Sequence, residues 1–416
     1  MTLRRPSIEI PLLALLCLAA YAPSLSIPLI EDDYPNLQYA RTHDSLTDPI
    51  FRARATSGWL MAGLWDEFGL TPAAYHLASL GLHFVCCCLL CGIVRLRWQG
   101  AFWVAAFFAV HEGHQEAVMW FSACNELLLF LFGAGSLWLW LLASRETAPR
   151  KRIALQAGSL TAFAFALLSK ESAVVWIPLF AIAAAPEWRR VWRRLLPHAA
   201  LACAALVSIW ATRTYSFRFS DGSFSWSAPF WIAWCRGMVR MLWPWGWMAL
   251  AAVAWFRVSK LTAVAWDALA WMSFALIPYS FLTYSTQIPS RQTYLAGAGL
   301  ALLCGTAMAR LWAQPGAPRK LAAAAAAAIL VVNLGYLWTK KRTQFQQRAE
   351  PTEQLIAMAR GTAGPIWVRC FPRNQYIAEE AVHVAAGRPP DTLVWTEAEA
   401  KQRGATTTFC YQEPRR

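Results

Sequence analysis

Charge is what this chain of 416 residues has least of: Asp, Glu, Lys and Arg make up 15% of it, against 57% hydrophobic residues and 24 Trp. A soluble globular domain carries about 25% charged residues, so that class is excluded and a polytopic helical membrane protein is left. Acid is the scarcer sign, with 24 Asp and Glu against 38 Lys and Arg and a formal net charge of +14. The basic excess does not point to nucleic acid. Most of it sits in short runs between apolar segments, where Lys and Arg orient membrane spans. The 11 Cys lack the spacing of a disulfide framework. Cys86, Cys87, Cys88 and Cys91 lie inside one apolar run, where Cys acts as a small hydrophobe, and neither spacing nor polarity there suggests a metal site. No clear small-x-small cleavage site follows the first apolar run, so Arg4 and Arg5 precede a retained span rather than a removed signal. No internal repeat stands out.

Runs of roughly 17–25 apolar residues are long enough to cross a bilayer, and about eleven are present. They cover approximately 8–30, 73–94, 101–118, 119–143, 153–169, 172–185, 197–212, 229–255, 263–283, 294–312 and 320–338. One set of connections holds Arg4/Arg5, Arg95/Arg97, Arg150/Lys151/Arg152, Arg189/Arg190/Arg193/Arg194, Arg257/Lys260 and Arg319/Lys320. The positive-inside rule makes that face cytoplasmic. An odd number of spans then sends the tail from about Thr339 to the other side. The tail has its own composition: a polar helical pattern through Arg360, a strand at 366–370, a helix near 377–386 and a strand at 406–411. It reads as a small α/β unit over 339–416. Cys370 and Cys410, the only Cys of the tail, are its disulfide candidates, since small extracytoplasmic units often need such a bond.

The extracytoplasmic face collects the chemistry. Glu31, Asp32 and Asp33 follow the first span directly; one acid there suits a helix cap, but three in a row before Tyr34 point to a general base or a metal site facing the substrate. His111, Glu112, His114 and Glu116 form a polar cluster in which the two His stand at i, i+3. That is not the i, i+4 spacing of a zinc protease, though it can share a helix face and hold a metal with a carboxylate. Lys170 and Glu171 adjoin hydrocarbon, where ionisable groups are functional candidates by default and a neutralised structural pair otherwise. Arg291 lies in a short outer loop, where a guanidinium fork suits phosphate, and Arg213 and Arg218 offer a second basic group.

At these residues the chain resembles multi-spanning glycosyltransferases of the GT-C fold, whose hallmark is an acidic motif in the first outer loop, matched here by Asp32-Asp33. It is most similar to the branch of the transmembrane O-mannosyltransferases targeting cadherins and their bacterial relatives. The family segment HPxHxEAVxW corresponds to residues 111–120, with Glu112 in place of Pro; LxxKExA corresponds to 167–173; ERYLYLPS is matched in part by Arg291-Gln292-Thr293-Tyr294-Leu295. The resemblance covers about residues 10–340, and the tail lacks the tetratricopeptide repeats of the cadherin-directed enzymes.

The resemblance implies a GT-C-like domain over 1–338 and transfer of a sugar from a polyprenyl-phosphate carrier to a protein or glycan hydroxyl, with inversion at the anomeric carbon. Asp32, or otherwise Asp33, would take the acceptor proton. Arg291 and Lys170 would stabilise the phosphate, while Glu31, His111, His114, Glu116, Glu171, Arg213 and Tyr294 would line the substrate site. It further implies membrane lipid as a partner, no nucleic acid, a bacterial inner-membrane location and a divalent ion in some members only. Two other classes fit the same face: a transporter or flippase of lipid-linked sugars, and a polymerase or ligase of lipid-linked glycans.

Overall fold

A computed structural model describes residues 8–44, 46–47, 54–187, 189, 192–214, 222–256, 259–283 and 286–412. Seven helical segments among them are long and apolar enough to cross a membrane: Glu9–Ser26, Pro72–Arg97, Phe121–Arg145, Trp192–Ala211, Leu261–Phe281, Ser290–Trp312 and Ala317–Gly361. Three shorter apolar segments, Ala101–Val110, Glu171–Ala184 and Trp245–Trp255, accompany them. Proline opens several helices, at Pro72, Pro149 and Pro197, where a missing N–H costs nothing.

The structure divides two of the expected spans. The run 229–255 is two helices, Phe230–Leu242 and Trp245–Phe256, parted at Pro244, which has no N–H to continue the ladder. The run 101–118 leaves the helix at Val110 and continues as a short 3-10 turn, Glu112–His114, and the helix Gln115–Met119.

Helix Tyr294–Trp312 is the axis of the bundle, with all but its last few residues buried. Its glycines let neighbouring backbones in. A Cβ at Gly305 would stand 2.4 Å from the Val104 backbone, and one at Gly299 2.8 Å from the Ala268 carbonyl. Small residues at such crossings allow the close approach that drives helix association in lipid.

The two ends of the bundle differ in charge. At one end Arg95 pairs with Glu9, Arg97 donates to the Ala183 carbonyl at 2.8 Å and meets Asp267 at 3.4 Å, and Gln156 donates to the Arg194 carbonyl at 2.9 Å. These contacts bring the connections holding Arg95/Arg97 and Arg194 to one end. The opposite end gathers the acidic loop, the 111–120 segment, Lys170 and Arg291.

The last apolar helix runs on into the polar tail. Ala317–Tyr336 passes through a π turn, Leu337–Lys341, into Arg342–Gly361, so one continuous rod carries the tail over the acidic end. Three parallel strands follow, β1 (Ile366–Cys370), β2 (Leu393–Val394) and β3 (Thr407–Cys410), in the order β2-β1-β3. Helix Gln375–Ala386 packs on them, with Val368, Val382, Leu393 and Phe409 in the small core. Thr396 caps Glu397–Gln402 by accepting from the Glu399 N–H, a fit of residue type to helix start. Cys370 and Cys410 face each other across β1 and β3 and are bonded, with Cα atoms 4.5 Å apart.

Candidate active site

After Ser26 the first span gives way to an extended stretch, and Asp33 opens the helix Asp33–Thr42. Asp33 is fully buried. One carboxylate oxygen accepts from the Ile30 N–H at 2.7 Å; the other accepts from the Ser122 N–H at 2.8 Å and meets the Ser122 hydroxyl at 2.6 Å. Burial pushes its carboxyl up to about 7, although the Ser122 and Ile30 bonds pull the other way. Its oxygens are therefore spent on joining the first loop to the start of the Phe121–Arg145 segment.

Glu31 is engaged from the other side. Its backbone has φ +47°, an uncommon conformation for a residue with a side chain, and its carboxylate meets Arg348 at 2.8 Å and Arg373 at 2.7 Å. Both arginines come from the C-terminal part of the chain. Asp32 lies between these two acids, half-buried, and among the described residues its side chain has no hydrogen bond or ion pair. Burial and the neighbouring Glu31 raise its carboxyl above the usual aspartate range, while Arg291 and Arg348 lower it.

Two cations that act on Asp32 both lie over the Trp120 ring. The Arg291 guanidinium lies 4.9 Å from the ring and that of Arg348 4.5 Å, and the indole N–H donates to the Ile30 carbonyl at 3.3 Å. Glu116 accepts from the Arg291 N–H at 3.1 Å and stands 3.8 Å from its guanidinium. Burial opposes ionisation of Glu116, but Arg291 and the hydrogen bonds from Arg291 and Ser290 outweigh it and hold the carboxyl below its ordinary value. Beside this group lies a cavity of about 330 Å³, with Gln115 and Glu116 on one wall and Lys341, Arg348, Arg373 and Tyr411 on the other.

Lys170 and Glu171 each reach a partner from another helix. Lys170 is buried against Glu126, whose other oxygen accepts from Tyr279 at 3.0 Å, and its ammonium lies 4.8 Å from the Tyr279 ring. Glu171 faces Arg54 at 3.5 Å. This second group floors a mostly apolar cavity of about 240 Å³ walled by Trp210, Phe224 and Trp226. A small pocket lined by Asn36, Arg54, Ser122 and Asn125 lies between the two groups.

The remaining candidates lie elsewhere. His111 stacks on Phe107, with its Nδ1 3.0 Å from a Glu112 oxygen, and its carbonyl accepts from Tyr21. His114 is buried beneath the cavity among Phe108, Tyr294, His83 and His111, and burial holds its ring well below the ordinary histidine value. Tyr294 is wholly buried and shares a 2.7 Å hydrogen bond with His83. His114 and Tyr294 therefore lie in the packed interior rather than on the cavity wall. His114 ends the 3-10 turn and Tyr294 opens the axial helix, and sequence position alone does not reveal their depth. Arg213 donates to the Trp210 carbonyl at 2.8 Å and stacks on that ring at 4.3 Å, apart from the acidic loop's own contacts. Arg218 lies outside the described residues.

No family model and no curated protein matches the sequence. Solved structures do. ArnT from Cupriavidus metallidurans, bound to undecaprenyl phosphate, aligns with 97% of this chain and 90% of its own, at 14% identity and a TM-score of 0.53. The archaeal oligosaccharyltransferase AglB from Archaeoglobus fulgidus, in complex with an inhibitory peptide and a dolichol-phosphate, aligns with 94% of this chain at 10% identity and a TM-score of 0.52. The present chain spans 64% of the length of AglB. The chain has the GT-C fold. The small parallel sheet after the last span completes a helical membrane protein with a C-terminal α/β part.

Another structure of the Archaeoglobus fulgidus oligosaccharyltransferase, with Zn and sulfate, aligns with 92% of this chain at 10% identity and a TM-score of 0.50. In the GT-C-like part of the present chain, Cys17, His83 and Cys87 have ligand atoms within 4.8 Å of one another, buried between the first span and Pro72–Arg97. The thiols came together through tertiary packing, not through the spacing within 86–91 that the sequence displays. The acidic loop offers less to an ion, because Glu31 is held by two arginines and Asp33 by Ile30 and Ser122.

Sequence reasoning did not single out Arg348, Arg373, Glu126, Tyr279 or Arg54 as site residues. Arg348 stood in a stretch that reads as a polar tail helix, and Glu126 is one acid inside a long apolar run. The conflict of a charge with its run was the signal that could have found Glu126.

Proposed function

We propose that the chain is a membrane glycosyltransferase that moves a sugar from a polyprenyl-phosphate carrier to an acceptor hydroxyl at the extracytoplasmic face, with Asp32 as general base. The observation that carries this reading is the division of labour among three adjacent acids. Glu31 is salt-bridged and Asp33 is saturated with donors, so Asp32 is the one carboxylate free to accept a proton. The shared fold with ArnT bound to undecaprenyl phosphate supports a lipid-linked donor. Clustering of the basic connections at the far end supports an extracytoplasmic site.

In this mechanism the acceptor O–H gives its proton to Asp32 as its oxygen bonds to the anomeric carbon. The bond from that carbon to the phosphate oxygen breaks on the opposite side, giving inversion and leaving the phosphate on the carrier. Arg291 and Arg348, both held over the Trp120 ring, stabilise the charge that builds there. Arg348 takes the part first assigned to Lys170, whose ammonium is committed to Glu126. The C-terminal α/β part, on the same face, closes over the donor. The test is transfer of labelled sugar from a polyprenyl-phosphate carrier to acceptor by the purified protein in detergent. Without compartments a transporter gives no product, and that result would reject the enzyme reading.

A further inference from the structure

We propose that Cys17, His83 and Cys87 hold a thiophilic metal ion with a filled d shell, Zn2+ or Cu+, which cross-links the first span to the helix Pro72–Arg97. Such an ion braces the bundle whatever reaction the outer face performs.

His83 and Cys87 stand at i, i+4 on Pro72–Arg97 and so share a helix face, and Cys17 meets them from Glu9–Tyr21. Their ligand atoms all lie within 4.8 Å of one another, and each of the three residues is at most 1% exposed. The two sulfurs are 3.8 Å apart, and the Cys87 sulfur is 3.9 Å from His83 Nε2. A metal that binds sulfur at ~2.3 Å in tetrahedral geometry sets two thiolates about 3.8 Å apart. Two thiols in simple contact can stand at this distance too. What sets this pair apart is an imidazole nitrogen at the same reach.

The surroundings fit an ion. His83 Nδ1 shares a 2.7 Å hydrogen bond with the Tyr294 hydroxyl, and a ligating imidazole is commonly held in this way by its second nitrogen. Nε2 meets the Ala109 carbonyl at 3.2 Å, a long contact that the ring releases when Nε2 turns its lone pair to a metal and Nδ1 keeps the proton. Binding also expels the two thiol protons to solvent. Two bare thiolates would be costly in an apolar interior, and Zn2+ cancels their charge. Three donors without a fourth among the described residues also suit Cu+, which soft thiolates select. From His83 the rings of His114 and His111 follow at centroid spacings of 5.7 and 5.1 Å and end beside Glu112. They form a line of further nitrogen donors by which an ion reaches the site from the outer segment.

The test is metal retention by the purified full chain in detergent, carried on a tag without histidine and reduced with a phosphine. After loading with Zn2+ or Cu+ and gel filtration, elemental analysis is expected to find about one ion per chain in the unaltered protein and in Cys88→Ser, and less than about a tenth of that in Cys17→Ser or Cys87→Ser. Which of the two ions stays decides the identity. Thiolate-to-metal absorption in the near ultraviolet, with Co2+ standing in for Zn2+ or with Cu+ itself, reads the same ligands without any substitution. Loading should raise the melting temperature of the unaltered chain and of Cys88→Ser, and leave that of Cys17→Ser unchanged. Retention of neither ion by the unaltered chain, or equal retention in the Cys17→Ser and Cys87→Ser variants, would overturn the site.

Discussion

Arg348 grips Glu31 with two nitrogens, Nε at 3.2 Å and Nη2 at 2.8 Å, across 317 residues of sequence. This fork joins the rod that leaves the last span to the loop that leaves the first. It also places a cation over the Trp120 ring, which Arg291 lies over as well. Bidentate geometry of this kind fixes orientation as well as charge, which Lys cannot reproduce.

A pH profile tests that arrangement. The base must be ionised to act, so activity rises with pH through the Asp32 pKa, which burial and Glu31 raise above the ordinary aspartate value. Arg291 and Arg348 lower it. Arg348→Gln should therefore move the acid limb of kcat to higher pH, and Arg348→Lys should restore the limb only in part. An unchanged limb would show that Arg348 does not act on Asp32.

Asp33 should behave differently from its neighbour. Its folded pKa, about 7 through burial, lies above the unfolded value, so the folded state holds the proton more firmly and stability falls as pH rises from about 4 to 7. Asp33→Asn should flatten that slope and lower the melting temperature, because the amide cannot accept from Ile30 and Ser122 as the carboxyl does. Thermal unfolding in detergent from pH 4 to 8 measures both effects.

Much of the fold was legible in the sequence. Apolar runs gave the helices, basic loops gave one end, and the alternating Ile366-Trp367-Val368 marked a strand that spans Ile366–Cys370 in the structure. The site was legible only in part. Spacing brought out Asp32 and Arg291, each beside a span end. It could not show that Asp33 turns inward to Ser122, or that Lys170 reaches Glu126, since partner choice is set by packing between distant helices. The run 229–255 has the length of a span, and Pro244 alone told of its division.

The Lys170–Glu126 pair gives a stability prediction. Both side chains are buried, so removing one partner strands a charge and should cost about 3–5 kcal/mol. Lys170→Met is expected to lower the melting temperature more than Lys170→Met with Glu126→Leu, which removes both charges. A double variant no better than the single one would show that the pair is not coupled.

The Cys370–Cys410 bond closes a loop across parallel strands, at a sequence separation of 40. The chain-entropy model gives about 4 kcal/mol for a loop of this length. A non-reducing peptide map of protein purified under a thiol-blocking reagent should recover the two peptides joined, and reduction should lower the stability of the α/β part. Two singly alkylated peptides would contradict the bond and, with it, an oxidising location for the tail.

The central claim is that Asp32 is the base and its neighbours are not. The most direct measurement is single-turnover sugar transfer by the Asp32→Asn variant, at carrier concentrations that saturate it in a parallel binding assay. Loss of a general base typically costs about 10²–10⁴-fold. The account predicts a loss of that size with carrier affinity close to that of the unaltered protein. Transfer within a few-fold of the unaltered rate would contradict it.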